Sequence, residues 1–156
     1  MLATVFQSLC TMEVDDGIQL NAAPVRVGII RKEARYGGVR VYPKATVVAE
    51  KLHAICILGL TNSRMKDFYD LDLLLQDHEL DDAETRLAVA ATFQRRQSPL
   101  PVALPIGLSD AFAADSGKRA QWAAFLRKNR LGMTELQSVV RRIRDRSARI
   151  GVPVAA

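Results

Sequence analysis

One lysine and two aspartates lie on faces of two predicted helices, and the other residues of those faces are apolar. Lys51 occupies the first helix, and Asp67 and Asp70 occupy the second. The apolar residues that share a helix face with the lysine are Val47, Ala54 and Leu58, and those that share a face with the aspartates are Leu71 and Leu74. Ionisable side chains directed inward are costly unless they are paired or used. That cost is the first indication of a site.

A structural ion network is the alternative interpretation of the same residues. Glu50, Lys51, Arg64, Asp67 and Asp70 carry both signs of charge on adjacent helices. Such a network would hold the two helices together without doing chemistry. The residue types alone leave both interpretations open.

The two helices that must position these side chains are joined by a short turn. Apolar spacing predicts one helix over Thr46–Leu58, which Gly59 ends. A second is predicted over Arg64–Gln76, with Asn62 or Ser63 as its N-cap.

The rest of the chain predicts a small sheet followed by more helices. A helix is expected at Leu2–Met12, then strands at Gly17–Asn21, Val25–Arg31 and Val39–Val41. The later helices are expected at Asp81–Arg96, Ser109–Ala114 (with Ser109 as cap), Ser116–Lys128 and Thr134–Arg149. We therefore predict an α/β (α+β) fold, with a small antiparallel sheet in residues 1–43 and a helical bundle in residues 44–150. At 156 residues the chain is expected to form a single domain, 1–156.

Composition and charge favour a soluble protein with a basic C-terminal third. No apolar run approaches a membrane span, and the two cysteines lie in apolar helical contexts that favour reduced thiols and a cytoplasmic location. The net charge is +5, but residues 118–149 hold ten Lys or Arg against two acids, a local charge of +8. This asymmetry fits contact with RNA or another polyanion, and it equally fits a solvated helix face.

Two motifs carry a resemblance to a known family. AEKLHA, at residues 49–54, precedes NSRMKDFYDL, at residues 62–71, with the spacing of a helix, a turn and a helix. The pair resembles the C-terminal signature of the AbiEii/AbiGii toxins, which are nucleotidyltransferase-like toxins of type IV toxin–antitoxin and phage-defence systems. The resemblance implies a partial nucleotidyltransferase fold and transfer of a nucleotide from a nucleoside triphosphate to an acceptor such as RNA or a tRNA end.

The resemblance also implies roles for individual residues. Lys51 and Asp67 match the family's catalytic pair from this half of the fold, with Asp67 as a candidate metal ligand. Arg64 and Lys66 are expected to contact phosphate, and Asp70 to hold Lys51 or Arg64 in place. The cofactor implied is Mg²⁺, and the implied partners are a nucleoside triphosphate, RNA or tRNA, and a cognate antitoxin.

The chain departs from the family pattern in two places. It resembles a member that is N-terminally truncated, without the Gly-rich turn and the Asp-x-Asp strand that holds the metal, and internally shortened after Val41. We therefore expect this chain to be inactive alone, with a non-catalytic binding module and one half of a split enzyme as the alternatives. The shortened sheet is expected to expose an edge through which the chain forms a homo-oligomer.

Overall fold

A computed structural model of the protein describes residues 34–36 and 39–153, and the chain divides into two compact units, Met1–Pro43 and Lys44–Ala156. In the first unit the described residues form a hairpin of two strands, β1 (Ala34–Tyr36) and β2 (Val39–Val41). The strands are antiparallel, with Ala34 opposite Val41. The predicted strand Val39–Val41 is thus confirmed. The predicted helix at residues 2–12 and the strands at residues 17–21 and 25–31 lie outside the described residues.

The second unit is built from helices. Six α-helices follow one another along the described part of this unit: Lys44–Leu58 (α1), Met65–Leu75 (α2), Asp82–Arg95 (α3), Asp110–Ala114 (α4), Ser116–Lys128 (α5) and Leu136–Arg149 (α6). Two 3₁₀ turns, Gly59–Thr61 and Ile106–Leu108, lie between them. The helices predicted from the sequence are confirmed here to within about two residues at each end, the usual uncertainty of helix boundaries.

The predicted fold class was wrong. A sheet followed by a helical bundle is not found in the described residues, which are predominantly helical, and extended structure there is limited to the two three-residue strands. The physical reason is that such a hairpin offers few ladder hydrogen bonds and little apolar surface, so it does not make a layer of its own. The prediction of a single domain stays a prediction.

The core of the helical unit is assembled around α1. This helix buries Val48, Leu52 and Ile55 completely and packs most extensively against α3. On its other side α1 contacts α2, which in turn packs against α6. Lys51 lies near the middle of α1 with its side chain 15% exposed, so its charge must find a partner inside the protein.

Local signals in the sequence place the helix ends. Gly59 has a φ of +49° and ends α1, and a Cβ at this position would lie 2.5 Å from Ile106 Cγ2. Both the conformation and the close approach require glycine. The Ser109 hydroxyl accepts a hydrogen bond from the Phe112 N–H and caps α4, as predicted. None of the described helices is both long enough and apolar enough to cross a membrane.

Candidate functional site

The ammonium of Lys51 lies between two carboxylates. Lys51 Nζ is 2.8 Å from Asp67 Oδ1 and 3.0 Å from Asp70 Oδ2. The lysine comes from α1 and both aspartates from α2, where a spacing of three residues puts them on the same face. Lys51 and Asp67, which the sequence predicts to be directed inward, therefore meet between their helices.

This cluster is largely buried. The side chains of Lys51, Asp67 and Asp70 are 15%, 16% and 3% exposed. Burial alone lowers the pKa of Lys51, but its hydrogen bond to Asp67 and the charges of Asp67 and Asp70 outweigh that effect and raise the pKa above its ordinary value. The lysine is therefore a fixed positive charge at neutral pH.

The remaining predicted residues divide into one that joins the cluster and one that does not. Lys66 Nζ lies 2.6 Å from Asp70 Oδ2, so Asp70 is shared by two lysines. Arg64 has no ion-pair partner among the described residues, and its backbone N–H donates to Asn62 Oδ1 over 2.9 Å. The predicted cap was wrong in detail, because Arg64 itself occupies the N-cap position and no side chain caps it. Asp70 holds Lys51 and Lys66, and leaves Arg64 exposed to solvent.

An open groove of about 630 Å³ runs beside the cluster. One side is made by residues 63–67, at the start of α2. The other side is made by α5, through Gln121, Ala124, Phe125 and Lys128. Asp67 therefore borders both the groove and the Lys51 cluster.

A family model for the nucleotidyl transferase AbiEii toxin of type IV toxin–antitoxin systems matches residues 18–144. This range covers most of the chain and includes the whole cluster and both sides of the groove. The chain belongs to the AbiEii toxin family. No curated protein and no solved structure matches the chain.

Sequence reasoning missed the α5 side of the AbiEii groove. Phe125 and Lys128 lie more than fifty positions beyond Asp67, outside both motifs. The signal that could have found them is their spacing, since Gln121, Ala124, Phe125 and Lys128 recur every three or four residues along one helix face. That face carries both apolar and basic residues, which separates it from a purely solvated stripe.

The structural network expected as the alternative is split in two. Glu50 does not join Lys51, although the two are neighbours in sequence. Its carboxylate pairs instead with Arg95 and Arg96 of α3. Lys51, Asp67 and Asp70 thus form an ion network between the two helices, and Glu50 and Arg64 lie outside it.

A second cleft, about 890 Å³ in volume, lies where the end of α2 and the following loop meet the end of α6. Its charges are already engaged, because Lys44 pairs with Asp77 and Glu79, and Arg146 pairs with Asp82. Among the described residues, no group of three His, Cys, Asp or Glu side chains is arranged to hold a metal ion. The groove beside Lys51 is the better candidate site, because two of its cations have no carboxylate partner in the described part of the chain.

Two other reactive side chains belong to the packing of α1. His53 lies 3.1 Å from Ser98 Oγ and edge-on to Phe93, and burial together with the charge of Arg96 lowers its pKa. Burial raises the pKa of the Cys56 thiol to about 12, so a thiolate nucleophile does not form near neutral pH.

Proposed function

We propose that the Lys51 cluster serves nucleotidyl transfer from a nucleoside triphosphate to an acceptor such as RNA, with a tRNA end as one such acceptor. The observation that carries this proposal is one buried ammonium held by two carboxylates at the border of a cationic groove. Membership of the AbiEii family supports the same reaction class. Triphosphates and tRNA are cytoplasmic substrates, and the proposal places the protein in that compartment.

Lys51 and Asp70 have distinct parts in this proposal. Lys51 is a compact charge on a flexible stem, and it binds a phosphate oxygen by exchanging one carboxylate for the substrate. Asp70 is nearly buried and keeps the ammonium in place throughout. Lys66, whose side chain is half exposed, and the exposed Arg64 stand at the groove where the remaining phosphate charge would lie.

Asp67 is the residue that fits a divalent cation. Its Oδ1 accepts from Lys51, whereas its Oδ2 has no hydrogen-bond partner among the described residues. Mg²⁺ is commonly held by one or two carboxylates together with substrate phosphates, so one free carboxylate oxygen beside a phosphate groove is a suitable ligand. When bound, Mg²⁺ would neutralise charge on the leaving pyrophosphate.

The described residues supply one lysine and two helix carboxylates here, which do not complete a two-metal site. We infer that further carboxylates come from another segment or from a second chain, as in the split-enzyme alternative, and that the 156-residue chain alone transfers no nucleotide. The proposed protein partners are a cognate antitoxin and a second copy of the chain, paired through an edge of the β1–β2 hairpin.

The test is binding of ATP with Mg²⁺, followed by backbone amide NMR shifts, in the wild type and in Lys51→Ala. We expect shifts confined to residues 47–51 and 62–70 in the wild type, and their loss in Lys51→Ala. Arg95→Ala is the matched control, because it removes a cation that pairs with the neighbouring residue of α1 but lies outside the groove. Shifts located elsewhere, or equal losses in both variants, would contradict the site assignment.

Transfer is tested by incubating the chain with labelled triphosphates, Mg²⁺ and total tRNA. We expect no labelling by the chain alone. Robust labelling that Lys51→Ala abolishes would show that the chain holds a complete site, and Asp15 or Asp16 would then be the first candidates for the missing ligands.

A further inference from the structure

The groove beside α2 combines an apolar floor with a cationic rim. Met65 and the half-buried Phe125 supply apolar surface, and Arg64, Lys66 and Lys128 supply three positive charges. Neither Arg64 nor Lys128 has an ion-pair partner among the described residues. An aromatic face flanked by free cations matches the two parts of a nucleotide, the base and the phosphate.

Phe125 is held as a fixed platform. Its ring centroid lies 5.8 Å from that of Tyr69 and 5.7 Å from that of Trp122. Trp122 is itself anchored, because its Nε1–H donates to the Thr134 carbonyl oxygen over 2.7 Å. One side of the Phe125 ring therefore packs in an aromatic cluster while the remainder lines the groove, so stacking a ligand there requires little further ordering.

The two sides of the groove are also tied together. Lys118 of α5 is almost fully buried, and its Nζ donates to the Asn62 carbonyl oxygen over 2.9 Å. Asn62 begins the turn that leads into Arg64 and α2. This bond joins α5 to that turn, so the groove is formed before any ligand arrives.

We propose that this groove binds single-stranded nucleic acid, with one base stacked on Phe125 and a backbone phosphate contacted by Lys128 on the α5 side of the groove. A single strand is required because a base in a duplex does not expose its face for stacking. The inference rests on the proposed function in one respect: the end of such a strand would lie beside Asp67 as the acceptor. Binding itself depends on neither Mg²⁺ nor transfer.

The experiment measures anisotropy of a labelled single-stranded RNA of about ten nucleotides, a length within the usual range of single-strand sites, with the intact chain. No triphosphate or Mg²⁺ is added. We expect Phe125→Leu, which keeps an apolar side chain but removes the ring, to weaken binding by about five-fold or more. Lys128→Ala is expected to weaken binding and to reduce the slope of log affinity against log salt by about 0.7, the value for one phosphate contact on a single strand.

Arg127→Ala is the matched control. Arg127 is exposed on the same turn of α5 as Lys128, but it does not line the groove. We expect its loss to change affinity by less than about two-fold and to leave most of the salt slope intact. Ala124→Glu is a second variant that does not disturb the core, because Ala124 is exposed on the groove. It should weaken binding at least as much as Lys128→Ala through charge repulsion.

Three outcomes would overturn the proposal. The first is equal losses for Lys128→Ala and Arg127→Ala with no loss for Phe125→Leu, which would mean diffuse attraction to a basic surface. The second is tighter binding of duplex than of single strand. The third is displacement of the labelled RNA by ATP as effectively as by unlabelled RNA, which would assign the groove to the triphosphate. Strand binding that persists in Lys51→Ala would support this inference. Loss of the ATP-induced NMR shifts in the same variant would separately support the proposed function.

Discussion

Two neighbouring residues of α1 enter two different ion clusters. Lys51 is enclosed with Asp67 and Asp70, and none of the three side chains is more than 16% exposed. Glu50, whose side chain is itself 16% exposed, pairs with Arg95 and Arg96, whose side chains are 60% and 53% exposed. A rotation of about 100° around one helix therefore separates a cation held by two enclosed carboxylates from a carboxylate held by two solvated cations.

The difference in side-chain exposure between the two clusters indicates where ionic interactions affect the stability of this fold most. Solvated ion pairs contribute little to the free energy of folding, because water screens their charges and long side chains lose conformational freedom when they are held in place. Enclosed charges depend on each other, because removal of one leaves its partners desolvated without compensation. The Lys51 cluster is thus both the stronger structural constraint and the group whose charges a phosphate could recruit.

The largest effect is expected from removing the enclosed lysine. Lys51→Met keeps the length of the side chain but leaves Asp67 without its ammonium, so the free energy of unfolding should fall by about 3 kcal/mol. Asp70 keeps Lys66, which limits the loss. Urea unfolding followed by circular dichroism measures the change. A loss below about 1 kcal/mol would mean that the cluster behaves like a solvated pair.

A smaller effect is expected at high pH. Because the folded pKa of Lys51 is raised, its contribution to stability is fully present below its unfolded pKa of about 10.4 and is lost as pH rises through the folded pKa. The difference in unfolding free energy between wild type and Lys51→Met should therefore stay constant up to about pH 10 and decrease above it. A difference that already shrinks between about pH 7 and pH 9 would mean that burial outweighs the two carboxylates.

The smallest effect is expected in the solvated cluster. Glu50→Gln removes the charge that pairs with Arg95 and Arg96 while keeping the shape of the side chain, and it should cost about 0.5 kcal/mol. Added salt of about 1 M should remove most of that difference, whereas it should alter the Lys51→Met difference much less. Equal salt sensitivity in the two variants would remove the distinction between the clusters.

Much of the helical unit could be predicted from local signals. Apolar spacing, the glycine at position 59 and the hydroxyl of Ser109 act over a few residues, and they place helix ends wherever those residues occur. Pairing of Lys51 with Asp67 was also predictable, because two inward-facing opposite charges on consecutive helices have few other partners. The predicted fold class was wrong, since alternation over three to seven residues is a weak signal without knowledge of what covers the strands.

Residues distant in sequence were decided by tertiary structure. Whether Glu50 would meet Lys51 or an arginine of α3 depended on how α1 is packed between two other helices, and local spacing does not contain that information.

The groove has the same origin, because Phe125 and Lys128 face Arg64 only after α5 folds against α2 and Lys118 reaches the Asn62 carbonyl. The sequence by itself determined the helices and the inward charges, since both follow from interactions within a few residues. The tertiary structure alone decided which charges are enclosed and which remain free at the groove, since burial is a property of packed neighbours.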